Sequence, residues 1–250
     1  MKEKLRGYAA IFELLLRNGG LKIAAAILLT MLTEGVLLYT MMQKETLYYE
    51  NLFARGGGIP LMAGFVLLTL AMLNPMKAAK SNLNYTLKRL RISPVGIFAA
   101  EMLYLVLAYV VFWALAIALL YGFGSYFTGN LPETLNFAGS ISEALNRETG
   151  LLLAFGRTHD LWFWLPVGKV TIAVRNAVGV TALGAAIARF NCFRRKGETK
   201  VIAPVLTLVL FTRGFYADLS NANANLLMTG ALFGLLLFSV ANTVVEEAEL

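Results

Sequence analysis

The stretch GIFAAEMLYLVLAYVVFWALAIALLYG, residues 96–122, carries one charged side chain, Glu101, in its whole length. Coiled as an α-helix at 1.5 Å per residue it runs about 40 Å, more than the roughly 30 Å of hydrocarbon in a bilayer. Lipid is the solvent for such a segment. Apolar runs of similar character recur at about 21–42, 59–75, 162–188, 201–216 and 225–245. The fifth is short, contains Pro204 and ends at Arg213, so it reads either as a span or as a re-entrant segment buried against the other helices. The pattern predicts an all-α, polytopic membrane protein with about six transmembrane helices in a single transmembrane domain, 1–250.

Composition agrees with that pattern. The 250 residues are 58% hydrophobic and 15% charged, with a mean hydropathy of +0.66, against about 45–50% apolar and about 25% charged in a soluble domain. A net charge of +7 would suggest nucleic acid for a soluble chain, but here the basic residues flank apolar runs and read as topology signals. No nucleic-acid partner is expected. With one cysteine, Cys192, and one histidine, His159, a single chain can assemble neither a disulfide framework nor a Cys/His metal site, so no metal is expected. The apolar run after Lys2, Lys4 and Arg6 is longer than a signal-peptide core and should remain as a helix.

Lysine and arginine set the orientation. Three alternate segments hold five each: Lys2, Lys4, Arg6, Arg17, Lys22; Lys77, Lys80, Lys88, Arg89, Arg91; and Arg189, Arg194, Arg195, Lys196, Lys200. The intervening segments hold only Lys44, Arg55, Arg147, Arg157 and Arg213. The bias places both termini in the cytoplasm of a cell whose cytoplasmic membrane holds the chain as a multi-pass protein. In residues 1–18, Leu5, Tyr8, Phe12 and Leu15 recur at helical spacing away from most of the charges, which predicts an amphipathic interfacial helix meeting membrane lipid. Residues 123–161 form the one sizeable extracytoplasmic region, with turns expected at Gly124, Gly129, Asn130 and Pro132. It reads as a lid or a docking surface, and Trp162 and Trp164 follow it at the outer interface.

Between the second and third spans, residues 76–94 repeat Lys77, Lys80, Asn84, Lys88 and Arg91 on one helical side and Leu83, Leu87 and Leu90 on another. A basic amphipathic helix is predicted on the cytoplasmic face. The run Thr86-Leu-Lys-Arg-Leu-Arg-Ile-Ser-Pro-Val-Gly-Ile-Phe-Ala-Ala-Glu-Met-Leu103 resembles the segment of ABC-2 type transporter membrane (permease) subunits that leads through a Ser/Thr-Pro turn into the third span. The resemblance is best over residues 76–120 and architectural elsewhere. It implies that this helix is a coupling element pressed against a separate ATPase subunit, with Lys80, Asn84, Lys88, Arg89 and Arg91 in contact and Ser93 and Pro94 forming the turn. It further implies a second permease subunit, identical or related, and ATP and magnesium bound by the partner. The chain departs from the pattern in its long loop after span three and in the short connection Ala217–Ala224. No Gly-x-x-x-x-Gly-Lys-[Ser/Thr] loop is present, so nucleotide binding by that route is excluded from this chain.

Ionisable residues inside spans each cost about 2.5–3.5 kcal/mol at mid-helix unless paired or solvated. Glu34 and Lys169 fall at matching depths in spans one and four, which permits a buried pair, read equally as a structural clamp or as a polar patch on a substrate path. Arg175 lies deeper, and reads either as facing an aqueous cavity or as snorkelling or bonding to carbonyls. Glu101 is placed to pair with the basic helix just before it. Gly230 and Gly234 form a GxxxG pattern for close helix packing. With no nucleophile constellation, the chain is not expected to be an enzyme. The expectation is a permease subunit of an ATP-driven exporter; the alternatives are an ion-coupled secondary carrier or channel-like protein, and a non-transporting scaffold. The cargo and the direction of transport stay open.

Overall fold

The computed structural model describes residues 2–42, 49–73, 92–130, 170–214 and 222–248, and among these the chain is helical with no strand. The elements are α1 (Lys2–Leu15), a π-helical turn (Leu16–Gly20), α2 (Leu21–Met42), α3 (Tyr49–Leu73), α4 (Pro94–Asn130), α5 (Val170–Arg195), α6 (Ile202–Gly214) and α7 (Ala222–Ala248). Four stretches are long and apolar enough to cross a membrane: Arg6–Thr40, Pro94–Phe123, Val170–Arg195 and Asn223–Thr243. Pro60–Leu73 and Ile202–Gly214 are shorter apolar helices. The protein is a helical membrane protein.

The N-terminal segment departs from the expected separate interfacial helix. Leu15 and Leu21, on either side of the π turn, both hold right-handed helical angles, so α1 continues into α2 without a break. The turn contains Gly19 and Gly20, whose missing Cβ atoms let the backbone widen there. Part of the apolar stripe expected to meet lipid, Phe12 and Leu15, meets α4 instead. Ile11 and Leu15 bury against Ala100, and the Phe12 ring stands edge-on to Tyr104 at 6.0 Å. Gly7 lies against Ile92, and a Cβ at Gly35 would sit 3.7 Å from the Phe123 ring. The joined α1–α2 helix therefore runs beside α4 in parallel over most of its length.

Helix α4 opens with a side-chain cap. The Ser93 hydroxyl accepts the Gly96 N–H at 3.2 Å, the Ser93 carbonyl accepts the Ile97 N–H at 3.0 Å, and Pro94 occupies the first helical position. At the other end the helix passes through Gly122, Gly124 and Gly129 to Asn130, so the opening of the expected 123–161 region is helical rather than turned. A glycine costs only about 1 kcal/mol in a helix interior, whereas backbone groups freed near lipid find no other partner. The remainder of 123–161, with Trp162, Trp164 and His159, lies outside the described residues.

Helix α5 is the centre of the bundle, with 61% of its apolar window enclosed against 17–33% for the other three long stretches. Helices α3, α4, α6 and α7 pack around it. Close approach depends on small residues: a Cβ at Gly184 would come within 2.6 Å of the Val106 side chain and 3.3 Å of the Met102 carbonyl oxygen, and one at Gly179 would overlap the Phe211 ring. The helix extends past the expected boundary at 188, so Arg189, Arg194 and Arg195 are helical rather than loop residues. It stops at Gly197, whose φ of 94° allows the Glu198 N–H to reach the Phe193 carbonyl at 3.0 Å and the Gly197 N–H to reach that of Arg194 at 3.1 Å. After this turn α6 folds back along α5. Its 13 residues span about 20 Å, less than a full crossing.

Aromatic rings fill the space between α3, α4 and α6. Phe65 stacks on Tyr109 at 5.5 Å and meets Phe112, Trp113 and Phe211 edge-on at 5.2, 5.6 and 5.3 Å. The Tyr109 and Thr69 hydroxyls share a hydrogen bond, which satisfies both inside an apolar layer.

Two glycines on different helices should respond oppositely to the same change. Gly184→Val forces α4 from α5 and should cost about 1–3 kcal/mol or more. Gly230→Val, where a Cβ meets nothing within 4 Å, should leave stability within about 0.5 kcal/mol. Thermal unfolding in one detergent measures both.

Candidate functional site

Among the described residues, two polar centres lie within the helices. The first is built by the last turns of α5 at the end of the bundle where α3 finishes and α4 begins. Glu101 is 2% exposed and its two oxygens accept separate donors, Asn191 Nδ2 at 2.8 Å and Arg195 Nη1 at 2.9 Å. Asn191 Nδ2 also approaches the Met72 carbonyl at 3.4 Å, and Arg194 Nη1 donates to the Leu73 carbonyl at 2.9 Å. Those carbonyls belong to the last described turn of α3. One turn of α5 thus holds the exit of α3 and the entry of α4. Arg195 Nη2 reaches the Cys192 sulfur at 2.8 Å, and the Arg189 guanidinium lies 4.3 Å from the centre of the Phe238 ring of α7.

The expected pairing of Glu101 with the basic helix that precedes α4 falls on residues outside the described ones. Glu101 lies two turns inside α4 and faces α5, so Arg195 and Asn191 take its oxygens. The sequence held a signal for them: Asn191 and Arg195 are one helical turn apart, hence on one face. Among the residues assigned to ATPase coupling, Ser93 and Pro94 form the described cap of α4, while Lys80, Asn84, Lys88, Arg89 and Arg91 lie outside the described residues.

The second centre surrounds Arg175, 2% exposed on α5. Its Nη1 donates to Asn225 Oδ1 in the first turn of α7 at 2.5 Å, and Nη2 makes a longer contact of 3.5 Å to Asn176 Oδ1. A Cβ at Gly214 would sit 3.6 Å from the guanidinium carbon, so the cation lies against the C-terminal end of α6, where helix carbonyls present partial negative charge. Arg175 joins the end of α6 to the start of α7. Among the described residues, the side-chain amides of Asn225 and Asn176 accept from Arg175.

Glu34 belongs to neither centre. It is fully buried, and neither carboxylate oxygen has a hydrogen-bond partner among the described residues. It shares a helix face with Thr30, whose hydroxyl bonds back to the Ala26 carbonyl at 2.9 Å and whose methyl packs at Gly64 beside Phe112. Lys169 lies outside the described residues, so the pair is not described. Gly230 and Gly234 have nothing against them among the described residues, and lie beside an open depression of about 620 Å³ lined by Asn223, Leu226, Leu227, Gly230 and Ala231. They pack no helix among the described residues.

No family model, curated protein or solved structure matches this chain. Its function has to be argued from its own residues.

Arg175→Leu should destabilise the protein by about 1–3 kcal/mol, because it removes a donor from buried Asn225. Arg175→Lys should recover only part of the loss, since an ammonium lacks the planar fork that meets two amides. Chemical denaturation in micelles would order the three proteins.

Proposed function

We propose that this chain is the transmembrane permease subunit of an ATP-driven, ABC-2 type exporter. On this reading two copies or related subunits enclose the translocation path, and a separate ATPase subunit carries ATP and magnesium. The observation that carries it is the segment Thr86–Leu103, a basic amphipathic pattern entering a long apolar helix through a Ser-Pro turn. The Ser93 cap with Pro94 at the first position of α4 is in keeping with that entry. Six apolar helices, α1–α2 as one and α3 to α7, fit six spans with both termini cytoplasmic, the apolar parts of α3 and α6 being short. The open face at Gly230 and Gly234 offers room for the second subunit. ATP-driven closure of the ATPase pair would push on the basic segment and shift the cavity between inward and outward access.

One observation favours a second reading. A buried carboxyl with no hydrogen-bond partner among the described residues, Glu34, is the kind of group an ion-coupled carrier uses inside a membrane. Under that reading transport follows an ion gradient without an ATPase. Pairing of Glu34 with Lys169 is tested by charge reversal: Glu34→Lys and Lys169→Glu should each lose expression or transport, and the double reversal should restore it. A double variant no better than the singles removes the pair.

The exporter reading is tested by purification in mild detergent from the native host. An ATP-binding subunit should accompany the native chain and be lost when Lys88, Arg89 and Arg91 are changed to glutamate in a protein that stays folded. A folded native chain that brings no ATPase would overturn the reading in favour of a carrier or scaffold.

A further inference from the structure

The basic connection enters from the end of α3 and leaves into α4, and both flanks are tied to one place. Leu73 and Met72, the last residues of α3, offer carbonyls to Arg194 and Asn191; Glu101, two turns into α4, accepts from Asn191 and Arg195. Asn191 serves both sides at once, since its Nδ2 lies 2.8 Å from Glu101 and 3.4 Å from the Met72 carbonyl. All three donors stand on the last two turns of α5. That helix runs on through the Gly197 turn into α6, and its Arg189 rests on Phe238 of α7.

We infer that Glu101 and Asn191 are positioning residues: they fasten α3 and α4, at the points where the basic connection joins them, to the end of α5, so that a force on the connection is delivered to α5, α6 and α7. A direct ion pair alone would tie α5 to α4. The carbonyl contacts add α3, and they differ in kind, because a hydrogen bond to a backbone carbonyl holds a helix without using any of its side chains. The joint moves as one body because its members satisfy one another where little water competes. The inference deepens the exporter reading, which supplies the source of the force, but the joint itself does not depend on it.

The joint contains its own reporter. Cys192 is the only cysteine in the sequence, is 9% exposed, and accepts the Arg195 Nη2 hydrogen bond at 2.8 Å. Its thiol should react with a maleimide only when the end of α5 opens away from its neighbours. The experiment measures the alkylation rate of Cys192 in the full chain, in native membrane vesicles, by mass spectrometry.

Glu101→Gln and Asn191→Leu should each raise the rate about tenfold or more, and Glu101→Asp should stay near the native rate, because local opening governs reaction of a buried group. Changing Lys88, Arg89 and Arg91 to glutamate should also shift the rate, and that shift should vanish when Glu101→Gln is added. Rates unmoved by Glu101→Gln and Asn191→Leu would overturn the joint. A connection variant that leaves Cys192 unaffected while the joint is intact would overturn the transmission. Should Glu101→Gln fail to accumulate, the connection variant on the native joint supplies the deciding measurement. Failure of the exporter reading shows separately, as absence of a co-purified ATPase alongside an unchanged alkylation pattern.

Discussion

Everything in this bundle depends on how closely other helices can approach α5. Gly184 lets α4 come near enough for Val106 to occupy the space of a side chain, and Gly179 does the same for Phe211 of α6. In lipid the hydrophobic effect gives helices little reason to associate, so close packing and internal hydrogen bonds carry the association. Ala182 between these glycines, and alanines 185, 186 and 188 after them, continue the narrow surface toward the charged end of the helix.

Close approach also makes the polar centres possible. A guanidinium reaches about one helix diameter, so Arg175 meets Asn225 and Arg195 meets Glu101 only because the backbones are near. A buried ion pair contributes little net stability once the removal of both charges from water is counted. Its value lies in excluding other arrangements: a rotation of α5 against α4 would strand Glu101 in an apolar layer. The two centres stand near opposite ends of α5, so each fixes a different set of neighbours.

Much of the fold was legible because crossing a membrane demands long apolar runs. Span 21–42 coincides with α2, and Ser93-Pro94 announced the start of α4. Boundaries set by charge were less legible. Arg189, Arg194 and Arg195 looked like a loop flank, yet long basic side chains find aromatic rings, carbonyls and a carboxylate within the bundle, and the helix continues under them. The fate of α1 was hidden for another reason. Amphipathic periodicity shows that one face is apolar without showing whether lipid or a neighbouring helix covers it, and here Ala100 and Tyr104 do. At the site, Glu101 stood out as a lone charge but its partners did not, since they follow it by 90 and 94 residues.

The parallel run of α1–α2 beside α4 bears on how the chain is made. Gly7 meets Ile92 and Gly35 meets Phe123, separations of 85 (92 − 7) and 88 (123 − 35) positions. At about 5–20 residues per second the ribosome needs on the order of 4–18 s to supply the partner of the first helix. During that interval α1–α2 has been made and Phe112, which meets Gly64 beside the Thr30 methyl, has not. Helix α3, which packs more extensively on α2, is made first, so the joined helix is enclosed in two steps, by α3 and then by α4.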